Sequence, residues 1–205
     1  MKNVKIVAFD CDGVMFDTIN SNTIYYNSIL EHFGRSEMTD AQRSYIHMHT
    51  VDKALFYLFN DQTEYEDAQA YRKSLDYTVF LKYLEIEPFL KPLLKKIKPK
   101  FNTAIATNRT DTMEALLVNN KLEEYFDIVV TASNVKFPKP YPDQLFKIIN
   151  HFDLKPENMI YIGDSRLDEL AAKAAGVTLV AYKNSSLAAD FHIQSLKEME
   201  KILDL

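Results

Sequence analysis

Short apolar runs recur along the chain and are separated by segments whose apolar residues have helical spacing. The first run, Val4-Lys5-Ile6-Val7-Ala8, is β-branched and reads as a buried strand. Further strand-like runs span 102–107, 126–131, 158–163 and 177–182, each short and apolar. Helical patterns lie between them at 110–120, 142–151 and 168–175, and Lys91 to Lys98 is helical in character ahead of the second core strand. A closing amphipathic helix is expected over 195–203, with Leu196, Met199, Ile202 and Leu203 on its apolar side. This alternation predicts an α/β fold, a parallel sheet covered by helices on both faces with right-handed crossovers.

Residues from about 18 to 88 break the rhythm. They hold no convincing strand. Ile24, Tyr25, Ile29 and Leu30, then Ala54, Leu55, Leu58 and Phe59, then Tyr71, Leu75, Tyr77 and Leu81 follow roughly helical spacing. A helical insertion, 18–88, is therefore expected after the first strand, between core segments 1–17 and 89–205. Its tyrosines, including Tyr25, Tyr26, Tyr57, Tyr65 and Tyr71, read as helix packing rather than a stacking surface.

Composition narrows the function classes. A net charge of −5, with acids and bases mixed, gives no footprint for nucleic acid or an anionic membrane. No apolar run approaches membrane-spanning length. The single cysteine, Cys11, permits no internal disulfide, and the chain enters its first strand almost at once, so a cytoplasmic protein is expected.

The candidate chemistry sits where strands end. Asp10-Cys11-Asp12-Gly13 closes the first strand. Side chains two apart on a strand point the same way, so Asp10 and Asp12 are expected to share one small volume. Like charges that close need a cation or a shared proton, and a divalent-metal site with a nucleophilic carboxylate follows. Cys11 alternates to the opposite face as buried filler. At Ile105-Ala106-Thr107-Asn108 a hydroxyl ends another strand, suited either to phosphate oxygens or to capping the next helix. Pro138-Lys139-Pro140 stiffens a loop around a lysine whose ammonium can neutralise phosphate or remain solvated. Gly163-Asp164-Ser165-Arg166-Leu167-Asp168 again places acids at a strand's C-terminal end, where open α/β sheets bind ligands; there Asp164 can instead be a turn residue and Asp168 a helix N-cap.

Taken together, these stretches resemble the four motifs of the haloacid dehalogenase-like hydrolases: Asp10 to Asp17 the first, Thr107 the second, Lys139 the third, and Gly163 to Asp168 the fourth. Val14 stands where that family often has Thr. The resemblance implies a Rossmann-like three-layer sandwich with a helical cap inserted after the first strand, as in phosphoglycolate phosphatase-like and β-phosphoglucomutase-like members. It implies Asp10 as nucleophile, Asp12 as general acid and base, and Thr107, Asn108 and Lys139 as phosphate-binding residues. It implies a magnesium site at Asp10, the Asp12 carbonyl and Asp164, with Asp168 supporting it directly or through water. In the cap, Arg43, His47 and His49 lie where specificity residues often stand. The expected activity is a magnesium-dependent phosphatase acting on a small phosphorylated metabolite, as a monomer or homodimer with no nucleic-acid or membrane partner. Alternatives are a sugar phosphomutase, a dehalogenase, a phosphonate hydrolase using Lys53, and a binding protein that keeps the fold without turnover.

Overall fold

The computed structural model describes residues 3–205. β1 (Ile6–Phe9) is buried along its whole length. It is followed by a two-residue β2 (Phe16–Asp17), then four helices: α1 (Ile19–His32), α2 (Asp40–Met48), α3 (Val51–Phe59) and α4 (Gln62–Ser74). A 3₁₀ segment at Tyr77–Tyr83 leads to β3 (Glu85–Ile86), which pairs antiparallel with β2. The chain then alternates through α5 (Leu90–Ile97), β4 (Asn102–Ala106), α6 (Met113–Asn120), β5 (Ile128–Val130), α7 (Asp143–His151), β6 (Met159–Gly163), α8 (Arg166–Ala175), β7 (Thr178–Tyr182), β8 (Phe191–Ile193) and α9 (Met199–Ile202).

Six strands form one parallel sheet in the order β5-β4-β1-β6-β7-β8. Chain order runs outward from β1 in one direction, then returns to build the other half, as in a Rossmann-type sheet. Phe9 registers with Ile105 of β4 and Ile162 of β6, so the C-terminal ends of the three central strands lie level.

The two faces of the sheet follow from alternation along the strands. Val7 and Phe9 join Ile105, Ile160 and Ile162 against Leu90, Leu93, Leu94 and Ile97 of α5 and Leu116 of α6. Those α5 positions recur at i, i+3, i+4 and i+7, one stripe of a helix, with Lys95 and Lys96 left exposed. Ile6 and Ala8 face the other way, with Ala104, Ala106 and Tyr161, against Leu145 and Ile148 of α7 and Ala171 and Ala175 of α8. The small residues on that face let the helices approach the sheet closely. A third apolar cluster, including Tyr25, Ile29, Leu55, Leu58, Phe59 and Phe80, is built from the helical segment. The α/β sandwich expected from periodicity is present, and helices α1 to α4 lie between the paired strands β2 and β3.

Some local expectations change. β8 is a strand that the sequence reading left out, and β5 is shorter than its apolar run. α6 begins at Met113 rather than Thr110, because residues 108–112 form an irregular loop over the sheet edge. The closing helix is split into a 3₁₀ turn at Leu196–Glu198 and the four-residue α9, although Leu196, Met199 and Leu203 are buried as expected. α8 starts at Arg166: Ser165 is its N-cap, and Asp168 takes the N3 position of a reciprocal capping box instead of the cap itself.

Candidate active site

β1, β4 and β6 deliver Asp10, Thr107 and Asp164 to adjoining positions at one edge of the sheet. Backbone bonds continue past the strands and fix them there: Asp10 N–H donates to the Ile162 carbonyl at 2.8 Å, and Thr107 N–H to that of Val130 at 3.0 Å. Gly13 has φ +85°, and a Cβ there would stand 2.0 Å from Asp164 Oδ2. Only glycine lets the turn after β1 pass the second acid so closely.

Lys139 lies at the centre of the polar cluster and is buried. Its ammonium is 2.8 Å from Asp10 Oδ1, 2.7 Å from Asp168 Oδ1 and 2.9 Å from the Tyr161 hydroxyl. These three contacts match the three donors of an ammonium. Gln144 anchors the loop by accepting from Lys139 N–H at 3.1 Å and donating to the Thr107 carbonyl at 2.6 Å. Asp168 Oδ2 accepts from Asp164 N–H, Ser165 N–H and the Ser165 hydroxyl. Asp168 thus ties Lys139 to the Asp164 loop, and burial against the charge and hydrogen bonds of Lys139 resolves in favour of its ionised form.

Asp10, Asp164 and Asp168 offer oxygens within 4.8 Å of one another. Burial pushes Asp10 up to about 7, with Lys139 opposing and Asp168 and Asp12 adding to the rise. Burial and the charges of Asp168 and Asp10 push Asp164 up to about 9. Among the described residues no ion pair or hydrogen bond engages the Asp164 carboxylate. Two carboxylates in this state, with oxygen donors only, suit a hard divalent cation.

Asp12 takes a different partner. Its carboxylate stays outside that oxygen cluster and is gripped by Arg109, Nε to Oδ2 at 3.1 Å and Nη2 to Oδ1 at 2.5 Å. Burial opposes ionisation, but the charge and hydrogen bonds of Arg109 bring Asp12 down to about 2. The two acids of the first motif line one pocket, as the spacing predicts, yet each is held by its own cation. Cys11 is buried, and burial pushes its thiol well above the ordinary range.

Residues 7–182 match the haloacid dehalogenase-like hydrolase family. The chain belongs to that family. It is 33% identical to a subfamily IA, variant 1 hydrolase of the haloacid dehalogenase superfamily from Geobacter sulfurreducens, whose crystal structure superposes with a TM-score of 0.81 over 98% of this chain and 97% of that one. A phosphoglycolate phosphatase of Nitrosospira multiformis is 28% identical, with 98% of this chain and 96% of that protein covered. The pyrophosphatase PpaX of Bacillus cereus is 25% identical over 98% of this chain and 94% of its own length.

Arg43, His47 and His49 of the helical insertion separate. His47 and His49 line the pocket that holds Asp10 and Asp12. Arg43 lies outside it, in an adjoining cleft, held by Asp40 at 2.5 Å and the Met38 carbonyl at 2.8 Å. His49 stacks on Tyr45 with centroids 4.0 Å apart. Lys53 is exposed and does not line the pocket. Asn108 donates to the Lys139 carbonyl at 3.1 Å, linking the second and third motifs.

Two pocket arginines escaped the sequence reading. Arg109 follows Thr107-Asn108 directly, so its place just past the end of β4 was a usable signal. Arg72 carried none: it reaches from α4 to Asp111, with Nη1 and Nη2 at 3.1 and 3.0 Å from its oxygens.

Proposed function

We propose that this chain is a magnesium-dependent phosphatase of the cytoplasm, hydrolysing a small phosphorylated metabolite through an aspartyl-phosphate at Asp10. The observation that carries this reading is the convergence of Asp10, Thr107, Lys139 and Asp164 at one sheet edge, where a phosphoryl group would meet a nucleophile and fixed positive charge together. Phosphoryl transfer depends mainly on alignment and charge neutralisation, and these residues offer both.

Asp10 and Asp164, with the Asp12 carbonyl, would hold magnesium. When bound, the cation neutralises charge on the phosphoryl oxygens. Asp168 acts through Lys139 and the Asp164 loop, since its oxygens already accept five hydrogen bonds. Thr107 and Lys139 position the phosphoryl oxygens. An oxygen of Asp10 attacks phosphorus as the bond to the leaving oxygen breaks, and Asp12, having left Arg109 and taken up a proton from solvent, gives that proton to the leaving oxygen. In the second step Asp12 takes a proton from water as it attacks phosphorus, releasing phosphate and restoring Asp10.

The test is hydrolysis of an aryl phosphate with and without magnesium by the wild type and Asp10→Asn. Asn is nearly isosteric but a poor nucleophile, so phosphate release should be magnesium-dependent and lost in the variant. Turnover by folded Asp10→Asn at the wild-type rate would refute the assignment.

A further inference from the structure

Gln144 is fully buried on the face of α7 that packs on the sheet, in line with Ile148 one turn on. That stripe calls for an apolar side chain, and a buried amide keeps its place there only by hydrogen bonding. Gln144 bonds at both ends of its amide. Oε1 accepts from the Lys139 N–H at 3.1 Å, and Nε2 donates to the Thr107 carbonyl at 2.6 Å and to the Val130 carbonyl at 3.3 Å. One N–H and two carbonyls around the group fix which way it faces. No other side chain of this length accepts one bond and donates two from a single flat group.

The main-chain groups that Gln144 gathers belong to three stretches. Thr107 follows β4, Val130 ends β5, and Lys139 lies in the loop before α7. Thr107 and Val130 are already joined by the Thr107 N–H. Lys139 has no neighbouring strand to hold its backbone. Gln144 holds its N–H, and Asn108 Nδ2 holds its carbonyl at 3.1 Å. Both holds lead back to the Thr107-Asn108 loop.

We propose that Gln144 is a positioning residue for phosphoryl transfer. It sets the separation between the Thr107 hydroxyl and the Lys139 ammonium, the two groups that take the phosphoryl oxygens, and so keeps phosphorus in line for Asp10. It touches neither substrate nor metal and acts through the two backbones. Without the amide, the Lys139 ammonium stays tethered to Asp10 and Asp168, whereas the main chain at its other end is free to shift against Thr107. The damage should fall on the grip of the transferred group. It should spare Asp164, whose loop is held separately by Asp168 and by Asn184, which donates to the Asp164 carbonyl at 2.7 Å. This inference rests on the phosphatase reading above.

The experiment uses Gln144→Met, which keeps the length of the side chain and removes all three bonds. Turnover of an aryl phosphate, inhibition by inorganic phosphate and the magnesium-induced rise in Tm are measured on folded protein. kcat/KM should fall roughly 100-fold, the cost of misplacing a reacting group by about 1 Å. Inorganic phosphate should inhibit about tenfold less tightly, as for a weakened hydrogen bond to a charged group. The magnesium-induced rise in Tm should match the wild type. A purely structural role lowers Tm alone, so wild-type kcat/KM and phosphate inhibition in the folded variant overturn the proposal. Loss of the magnesium response together with the other two also overturns it, because the amide would then support the whole site. In a Thr107→Ala background the same substitution should cost at most about tenfold, since one of the two groups it spaces is gone; the full loss in that background, simply multiplied, overturns it too. If Gln144→Met does not fold, Gln144→Leu, the kind of residue the stripe itself favours, takes the same comparisons with the same expected and opposing results. A wild type without magnesium-dependent turnover refutes the phosphatase reading and this one with it, whereas an active wild type with unaffected Gln144 variants refutes this one alone.

Discussion

At the residue scale, the site is a balance between excess carboxylate and scarce cation. Asp10 at about 7 and Asp164 at about 9 both stand above the ordinary carboxylate value. A group raised on folding favours the folded state fully below its unfolded pKa, and that contribution is lost as pH rises through the folded pKa. Metal-free protein should therefore lose stability from these two groups between about pH 4 and pH 9. Magnesium must displace their protons, so its affinity should rise over the same range. The expected outcome is a larger magnesium-induced rise in Tm at about pH 8.5 than at about pH 6, largely removed in Asp164→Ala. An equal rise at both pH values, or an unchanged rise in Asp164→Ala, would contradict ligation by this pair.

The acids were legible in sequence because each follows an apolar strand, and strand ends are where open sheets gather ligands. Their separate pairing was not legible. Asp10 and Asp12 share a face by alternation, but whether one cation or two answers them depends on Lys139 and Arg109. Those residues arrive from loops 129 and 97 positions away in the chain respectively, as differences in residue number show. Periodicity says nothing about such distances.

At the scale of elements, the turn from β1 to β2 carries the tightest constraint. Gly13 combines φ +85° with the nearby Asp164 carboxylate, whereas Gly34 has φ +66° and open space around its Cβ position. Gly34→Ala should lose only the left-handed backbone preference, about 1–2 kcal/mol. Gly13→Ala should lose that and also displace Asp164, so both its stability and its magnesium affinity should fall further. Denaturant unfolding with magnesium titration checks this; similar behaviour of the two variants would remove the turn from the account. The main strands and helices were readable because their apolar periods are long enough to count. The β2–β3 ribbon was not, since two-residue strands have no period, and β8 was missed in a segment with little apolar run. Ser165 took the cap of α8 because Asp168 was drawn inward to Lys139.

At the scale of the whole molecule, two arginines stitch the helical insertion to the sheet edge. Arg72 of α4 holds Asp111, and Arg109 holds Tyr77. The side chain of Arg72 is 7% exposed and that of Asp111 is 53% exposed. Removing Arg72 leaves its partner in water, so Arg72→Met should cost about 1.5–3 kcal/mol, the range for a hydrogen bond to a charged group. It should also raise hydrogen exchange at residues 69–77 and 107–112, while exchange in β1 and β6 stays slow. Unchanged exchange in both segments would show that the bridge does not hold the insertion in place. No helix among the described residues is long and apolar enough to cross a membrane.

The claim on which the rest depends is that Asp10 accepts the phosphoryl group. Its most direct measurement is acid quench of the enzyme during magnesium-dependent turnover of an aryl phosphate, followed by borohydride reduction and peptide mass spectrometry. An acyl phosphate at Asp10 is reduced to homoserine, so the account predicts homoserine at position 10, dependent on substrate, with Asp12 and Asp164 unchanged. Unmodified Asp10 in enzyme quenched at full turnover, together with undiminished activity of Asp10→Asn, would contradict it.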